Sequence, residues 1–299
     1  MEGIGWGKED CVLRMSEKFS NFAAIMDLRQ LTYRIGSWMK FQLTAWNTGG
    51  EGVHSPYLFE WVRMVMSDRH RFYGWDAIEA GRRKMLADTR ALHYVDYGSG
   101  SRGVKGRESV RRVCDIARGS LTARRYAEML SRLVNWLGGQ LRTEDKGLTI
   151  IELGTSLGIT TSYLATVDHR DRVVTYEGCE SVANIAREGW DSLGMKNIEC
   201  RVGEIDKATM LCDIACVDIA FIDADHTHAS TRDFFNMLAE KTHEKSVIVV
   251  DDIHHSAEME EAWKEICADE RVTSTMDLYQ MGLVFFDKHY WRRNYKMRL

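Results

Sequence analysis

Proline is almost missing from this chain: 299 residues contain one, Pro56. Loops must therefore be built from glycine and polar residues, and any catalytic motif that needs a proline pair or a Pro-Cys nucleophile is excluded. Long apolar runs are missing as well. A stretch such as 247–250 falls far short of the ~20 residues a membrane-spanning helix requires, so no membrane partner is expected. No charged-apolar-small leader opens the chain, which makes the cytoplasm the default location. Cysteine is odd in number, seven, without framework spacing, and suits reduced thiols. Cys212 and Cys216 lie four apart but have no second pair for a metal, so they read as packing residues. A formal net charge of −4 exerts no global pull toward nucleic acid or anionic lipid.

The remaining composition is that of an ordinary globular protein, 44% hydrophobic and 28% charged, with a length suited to one large domain or two ordinary ones. Residues 1–14 are glycine-rich and aperiodic and read as a loosely held terminus. Apolar residues at helical spacing over 16–45 (Phe19, Phe22, Ala23 and Met26, then Leu28, Leu31, Ile35 and Met39) predict one or two helices. Ser55 and Pro56 form an N-cap and first helical residue for a helix over 56–66. Its Tyr57, Phe59 and Trp61 read as packing residues, and His54 precedes it as a lone loop histidine. A charged helix is expected over 77–88 and a final one over 126–141.

Two glycine loops compete for attention. The first, 93–107, holds Asp96, Gly98 and Gly100 in a D-x-G-x-G pattern that often opens a nucleotide site. A working loop of that kind should lead into a helix and a second strand ending in an acid. The residues after this one are basic and helical in character, so Gly98 to Gly103 reads as a flexible loop near the mouth of a site. Between Arg102 and Arg125 there are eight basic residues against Glu108 and Asp115. That excess fits a solvated helical face or a site for an anion. With no aromatic residue interleaved before Tyr126, it argues against nucleic acid.

The second loop is better supported. Short β-branched runs over 149–153, 172–176, 198–202, 217–222 and 246–250 alternate with helical segments, which predicts a parallel sheet covered on both faces. A helix over 258–268 and two closely spaced, hence antiparallel, strands over 273–278 and 283–286 end the pattern. The first strand runs into ELGTSLG, Glu152 to Gly158. Strand two ends in Glu177, 23 residues after Gly154, and strand three is followed by Gly203 and Glu204. Strand four ends in FIDADHTH and strand five in VVVDDIHH.

This order of motifs, over about 145 residues, resembles the class I S-adenosylmethionine-dependent methyltransferases, and within them the metal-dependent catechol-type O-methyltransferases. The resemblance implies an α/β fold: a seven-stranded Rossmann-like sheet of five parallel strands plus an antiparallel terminal hairpin, with a helical N-terminal region. It implies S-adenosylmethionine held by Glu152, Gly154, Ser156, Gly158, Glu177, Gly203, Glu204 and Asp223, with Ser156 standing where a glycine is frequent. In the fold, a carboxylate such as Glu177 accepts from both ribose hydroxyls. The glycines let backbone pass close to the cofactor. It further implies a divalent metal such as Mg²⁺ on Asp223, Asp251 and Asp252, the last standing where the family has Asn. Asp223 and His226 become the catalytic pair, with His226 in place of the usual lysine as general base. His228, His254 and His255 crowd the same rim and also offer nitrogen ligands for zinc or iron.

The reading is therefore O-methylation of a small-molecule hydroxyl. Residues 1–140 form a helical substrate-recognition cap, 141–299 bind the cofactor, and a homodimer stays open. The missing prolines remove the methyltransferases that use [D/N]-P-P-[Y/F], since that position reads DADH, and the Pro-Cys enzymes, since Pro56 precedes Tyr57. Two rivals stay open: a nucleotide-dependent oxidoreductase on a Rossmann-like sheet, and a non-catalytic binding module that keeps the fold.

Overall fold

The computed structural model describes residues 28–45, 52–97, 106–205, 210–288 and 292–299. The expectations for 1–14, for the first half of the 16–45 helical pattern and for the loop glycines from Gly98 to Gly103 fall outside those residues.

Five parallel strands form the centre as the β-branched runs predict: β3 (Thr149–Leu153), β4 (Arg172–Glu177), β5 (Ile198–Val202), β6 (Val217–Ile222) and β7 (Thr242–Asp251). Then β8 (Ser274–Asp277) and β9 (Met281–Phe285) form the antiparallel hairpin, with β9 inserted between β7 and β8. An eighth strand corrects the expected seven: β10 (Arg293–Lys296) lies parallel on the open edge of β8, Arg293 opposite Ser274. RNYK has no alternation and no β-branched residue, so nothing local announces a strand. It forms because the β8 edge offers unpaired backbone groups and because Tyr295 and Met297 are buried there. The order β10-β8-β9-β7-β6-β3-β4-β5 reverses direction between β3 and β6. Ligands bind at such a switch point, outside the carboxyl ends of the strands.

The N-terminal half supplies five helices among the described residues, two of which cover one face of this sheet. The five are α1 (Leu28–Thr44), α2 (Pro56–Trp61, continued by a π turn over Val62–Met66), α3 (Trp75–Ala87), α4 (Val113–Ser120) and α5 (Arg124–Leu141). Ser55 caps α2 as expected, its Oγ accepting from the Leu58 N–H at 3.3 Å. Trp61, Leu130, Leu133 and Leu137 from α2 and α5 share one buried cluster with Ile150, Phe221, Val249 and Leu283 of the sheet. Helices α8 (His228–Ala239) and α9 (Ala257–Ala268) cover the other face through Phe235, Leu238, Trp263 and Ile266. The remaining two, α6 (Ile159–Ala165) and α7 (Glu180–Ser192), pack with α3 and α4 around Trp75, Ile78 and Tyr163. Among the described residues no helix is long and apolar enough to cross a membrane.

The helical reading of the basic segment is corrected in part. Ala91–Asp96 (β1) and Arg107–Arg112 (β2) pair as an antiparallel hairpin, Ala91 opposite Arg112 and Asp96 opposite Arg107. RESVRR is charged and mostly exposed, so it is a strand through pairing rather than by propensity. The helical part of the segment begins only at Val113. Its arginines largely find acids or rings of their own: Arg112 and Arg118 on Asp115, Arg124 on Glu128, and Arg111 over the Tyr94 ring at 4.6 Å. They make a solvated, ion-paired face.

Candidate active site

A cavity of about 600 Å³ opens where β3 to β7 end, within the usual range of ligand pockets. Of the residues singled out from the sequence, Gly154, Ser156, Glu177, Gly203, Glu204, Asp223, His226, Asp251 and Asp252 line it. Glu152 and Gly158 do not. The described lining contains seven carboxylates (Asp96, Glu177, Glu204, Asp223, Asp225, Asp251 and Asp252) and no lysine or arginine, a field that favours cationic ligands.

The glycine turn follows from crowding within the protein. A Cβ on Gly154, at φ +97°, would lie 2.1 Å from the Asp223 carbonyl oxygen, and one on Gly158, at φ +75°, 2.8 Å from Ala186 and the Trp190 ring. These two glycines let β3, β6 and α7 approach one another. Ser156 lies between them with φ +48°, a left-handed conformation that costs an L-residue roughly 1–2 kcal/mol. Two contacts hold it there. Its N–H donates to Glu177 Oε2 at 2.8 Å, and its Oγ meets Ser120 Oγ at 2.7 Å.

Glu177 is thereby built onto the turn. Oε2 takes the Ser156 N–H, and Oε1 takes the Cys179 N–H at 2.9 Å. Each carboxylate oxygen has a further lone pair for a ligand hydroxyl. Burial raises the Glu177 pKa above its usual value, and the backbone donors oppose that rise.

Glu152 works beneath the turn. It is fully buried, Oε2 accepts from the Thr161 and Thr175 hydroxyls at 2.5 and 2.6 Å, and Oε1 has no partner. Burial pushes its pKa up to about 7. A protonated carboxyl bracing the turn fits that environment.

At the other strands, Asp223 and Asp251 sit well above the usual carboxylate range, first through burial and then through repulsion from neighbouring acids. His226 Nε2 lies 3.5 Å from Asp223 Oδ1, and His255 Nδ1 lies 3.6 Å from Asp252 Oδ2. The two imidazole rings face each other across 6.1 Å. Burial lowers the His226 pKa below its usual 6.5, which leaves a neutral imidazole at neutral pH.

The other two rim histidines are engaged elsewhere. His228 pairs with Glu265 at 3.0 Å on α9. His254 is buried, bonds Asp277 at 2.9 Å and stacks on Tyr279. His54 is exposed and does not line the cavity.

The metal expectation can be weighed on the donors themselves. Asp251 Oδ1 is buried without a partner, as a ligand atom would be. Among the described residues, however, no three His, Cys, Asp or Glu side chains converge as metal ligands. In this arrangement the described residues do not fit a metal.

Sequence reasoning missed part of the lining: Tyr94 and Tyr97 of the hairpin region, and Ser120 to Thr122 at and after the end of α4. The available signal was HYVD at 93–96, where the strand-forming pair Tyr94 and Val95 runs directly into a glycine loop.

Residues 151–253 match the model of a family described as a methyltransferase domain. No curated protein matches the chain. Solved structures of similar fold include an O-methyltransferase from Bacillus cereus in complex with SAH, at 18% identity and a TM-score of 0.51, covering 77% of this chain and 97% of that one. Another is an SAH-bound methyltransferase from Podospora anserina, at 10% identity and a TM-score of 0.52, covering 78% and 96%. At these identities the likeness carries the fold: a Rossmann-like methyltransferase sheet, as the order of motifs implies.

Proposed function

We propose that the chain is a methyltransferase that uses S-adenosylmethionine to methylate a hydroxyl of a small molecule. The observation that carries this reading is a single cavity that takes in Glu177, built onto the glycine turn, together with the Asp223–His226 pair, in a lining of carboxylates without a described lysine or arginine. When bound, S-adenosylmethionine supplies an electrophilic methyl group on a positively charged sulfur. Glu177 accepts from the ribose hydroxyls, and Gly203 and Glu204 border the pocket beside it. The neutral His226 imidazole takes the proton of the acceptor hydroxyl, with the Asp223 side chain 3.5 Å from its Nε2 to orient the ring. The carboxylate lining favours the cationic cofactor over its neutral product, which assists release.

Residues 1–140 serve mainly as the acceptor-recognition region, and 141–299 supply most of the cofactor-binding residues. A homodimer is supported by the exposed apolar face of α1, formed by Leu31, Ile35, Trp38, Met39 and Leu43. Sedimentation of a Trp38→Lys variant at a lower mass than the parent would bear this out, and an unchanged mass would remove it.

The test of function is calorimetric titration with S-adenosylhomocysteine, followed by transfer of labelled methyl groups to a panel of phenols in EDTA and in Mg²⁺. Binding and hydroxyl methylation in EDTA are the expected results. Activity only with Mg²⁺ would restore the metal role of Asp223, Asp251 and Asp252. Absence of binding at millimolar ligand would end the reading.

A further inference from the structure

The β1–β2 hairpin precedes the 151–253 segment and is not needed to complete the central sheet. It has little reason to fold by itself. A two-stranded ribbon is marginal in water, and β2 buries almost nothing. What holds it is the loop that carries the ribose acid. Ser181 Oγ donates to the His93 carbonyl at 2.6 Å, and the Val95 N–H reaches Cys179 Sγ at 3.4 Å.

The contact is closest at Gly178, the residue after Glu177. A Cβ there would lie 2.6 Å from Tyr97 Cδ2 and 2.9 Å from Tyr97 Cβ and Cγ. Gly178 is therefore bare because Tyr97 is seated on it. Tyr94 also lines the cavity, its ring fixed by the Arg111 guanidinium.

The same segment then grips the glycine turn. From β2 the chain runs straight into α4, whose last residue, Ser120, meets Ser156 at 2.7 Å. Two residues on, Thr122 Oγ1 accepts from Thr160 Oγ1 at 2.9 Å. The described residues 91–97 and 106–122 thus touch both elements that define the cofactor end of the cavity.

We infer that this hairpin is the outer wall of the cofactor site, with Tyr97 presenting an aromatic face to the adenosine portion beside Glu177. The inference rests on the proposed use of S-adenosylmethionine and adds a positioning residue contributed from outside the methyltransferase-domain segment. An aromatic face suits a nucleobase, whose own π-face stacks on it. Because the ring also packs on Gly178, the hairpin and the acid-bearing loop are held in one arrangement before the ligand arrives.

Tyr97→Leu and Tyr97→Phe separate this role from mere packing. Both keep bulk over Gly178, and only Phe keeps a flat aromatic ring. Titration with S-adenosylhomocysteine should show the Phe variant within about threefold of the parent and the Leu variant weakened by about tenfold or more. Both free proteins should melt close to the parent. A third variant, Gly178→Ala, should weaken binding in the parent and add little to the loss in Tyr97→Leu, because both changes disturb the same contact. The parent's own titration distinguishes the two ideas: if it does not bind S-adenosylhomocysteine, the cofactor reading falls. If it binds and Tyr97→Leu binds equally well, the hairpin assignment alone is overturned. A Leu variant that changes only the Michaelis constant of the acceptor would overturn it too, since the wall would then belong to the other substrate.

Discussion

The backbone N–H of Ser156 donates to the Glu177 carboxylate at 2.8 Å, across 21 residues of chain. The glycine turn and the acid of the next strand are therefore one preassembled unit, and the acid lines the cavity. Glu177→Ala removes the acceptor for two ligand hydroxyls and leaves the Ser156 and Cys179 N–H groups without it. Hydrogen bonds to a charged group contribute about 1.5–3 kcal/mol each. Calorimetry on the variant should show S-adenosylhomocysteine bound at least about 100-fold more weakly. Retained affinity would remove Glu177 from the cofactor site.

Beneath the turn, Glu152 imposes a pH dependence on stability. Its folded pKa is about 7 against an ordinary 4.5, so folding takes up a proton between those values. The associated stability is complete below about pH 4.5 and is lost as pH rises through about 7, by roughly 3 kcal/mol in all. Glu152→Gln removes the ionisable group while keeping an oxygen for Thr161 and Thr175. Urea unfolding at pH 5.5 and pH 8 should show the variant gaining on the parent at the higher pH. Equal pH profiles for the two proteins would contradict the assignment.

In the proposed reaction His226 takes the proton. Replacement by Asn should lower turnover about 10²–10⁴-fold, the usual worth of a general base, while affinity for S-adenosylhomocysteine stays within about threefold. Single-turnover transfer of a labelled methyl group reads both quantities. Undiminished turnover would assign the proton to another group.

Away from the cavity, Arg142 clamps the buried Asp171 carboxylate through two bonds of 2.8 and 2.6 Å, and the Leu148 N–H adds a third at 2.8 Å. The clamp pins the entry to β3. Asp171→Ala leaves the largely buried Arg142 guanidinium with only the longer 3.7 Å carboxylate contact to Asp168 and should cost about 3 kcal/mol, read as a lower urea midpoint. Cofactor affinity measured below the transition should change little, because the clamp lies at the opposite end of β3 from the turn.

The sequence by itself determined the parallel sheet, because each central strand is a local β-branched run bounded by turn residues, and the hydrophobic pattern needs no partner to be read. It also located the turn at Gly154 to Gly158 and the acid at Glu177, since their spacing is set by the length of one strand-helix-strand unit. The tertiary structure alone decided the rest. Arg293–Lys296 and Arg107–Arg112 are strands because an edge or a partner was available, and pairing of that kind leaves no periodic trace. Four histidines lie close together along the chain, and only the resemblance singled out His226. Only the packing of α1, α8 and α9 directed His228 to Glu265 and His254 to Asp277, leaving His226 beside Asp223. Ser156 sits in left-handed backbone because contacts to Glu177 and Ser120 hold it there, and both come from residues distant in sequence.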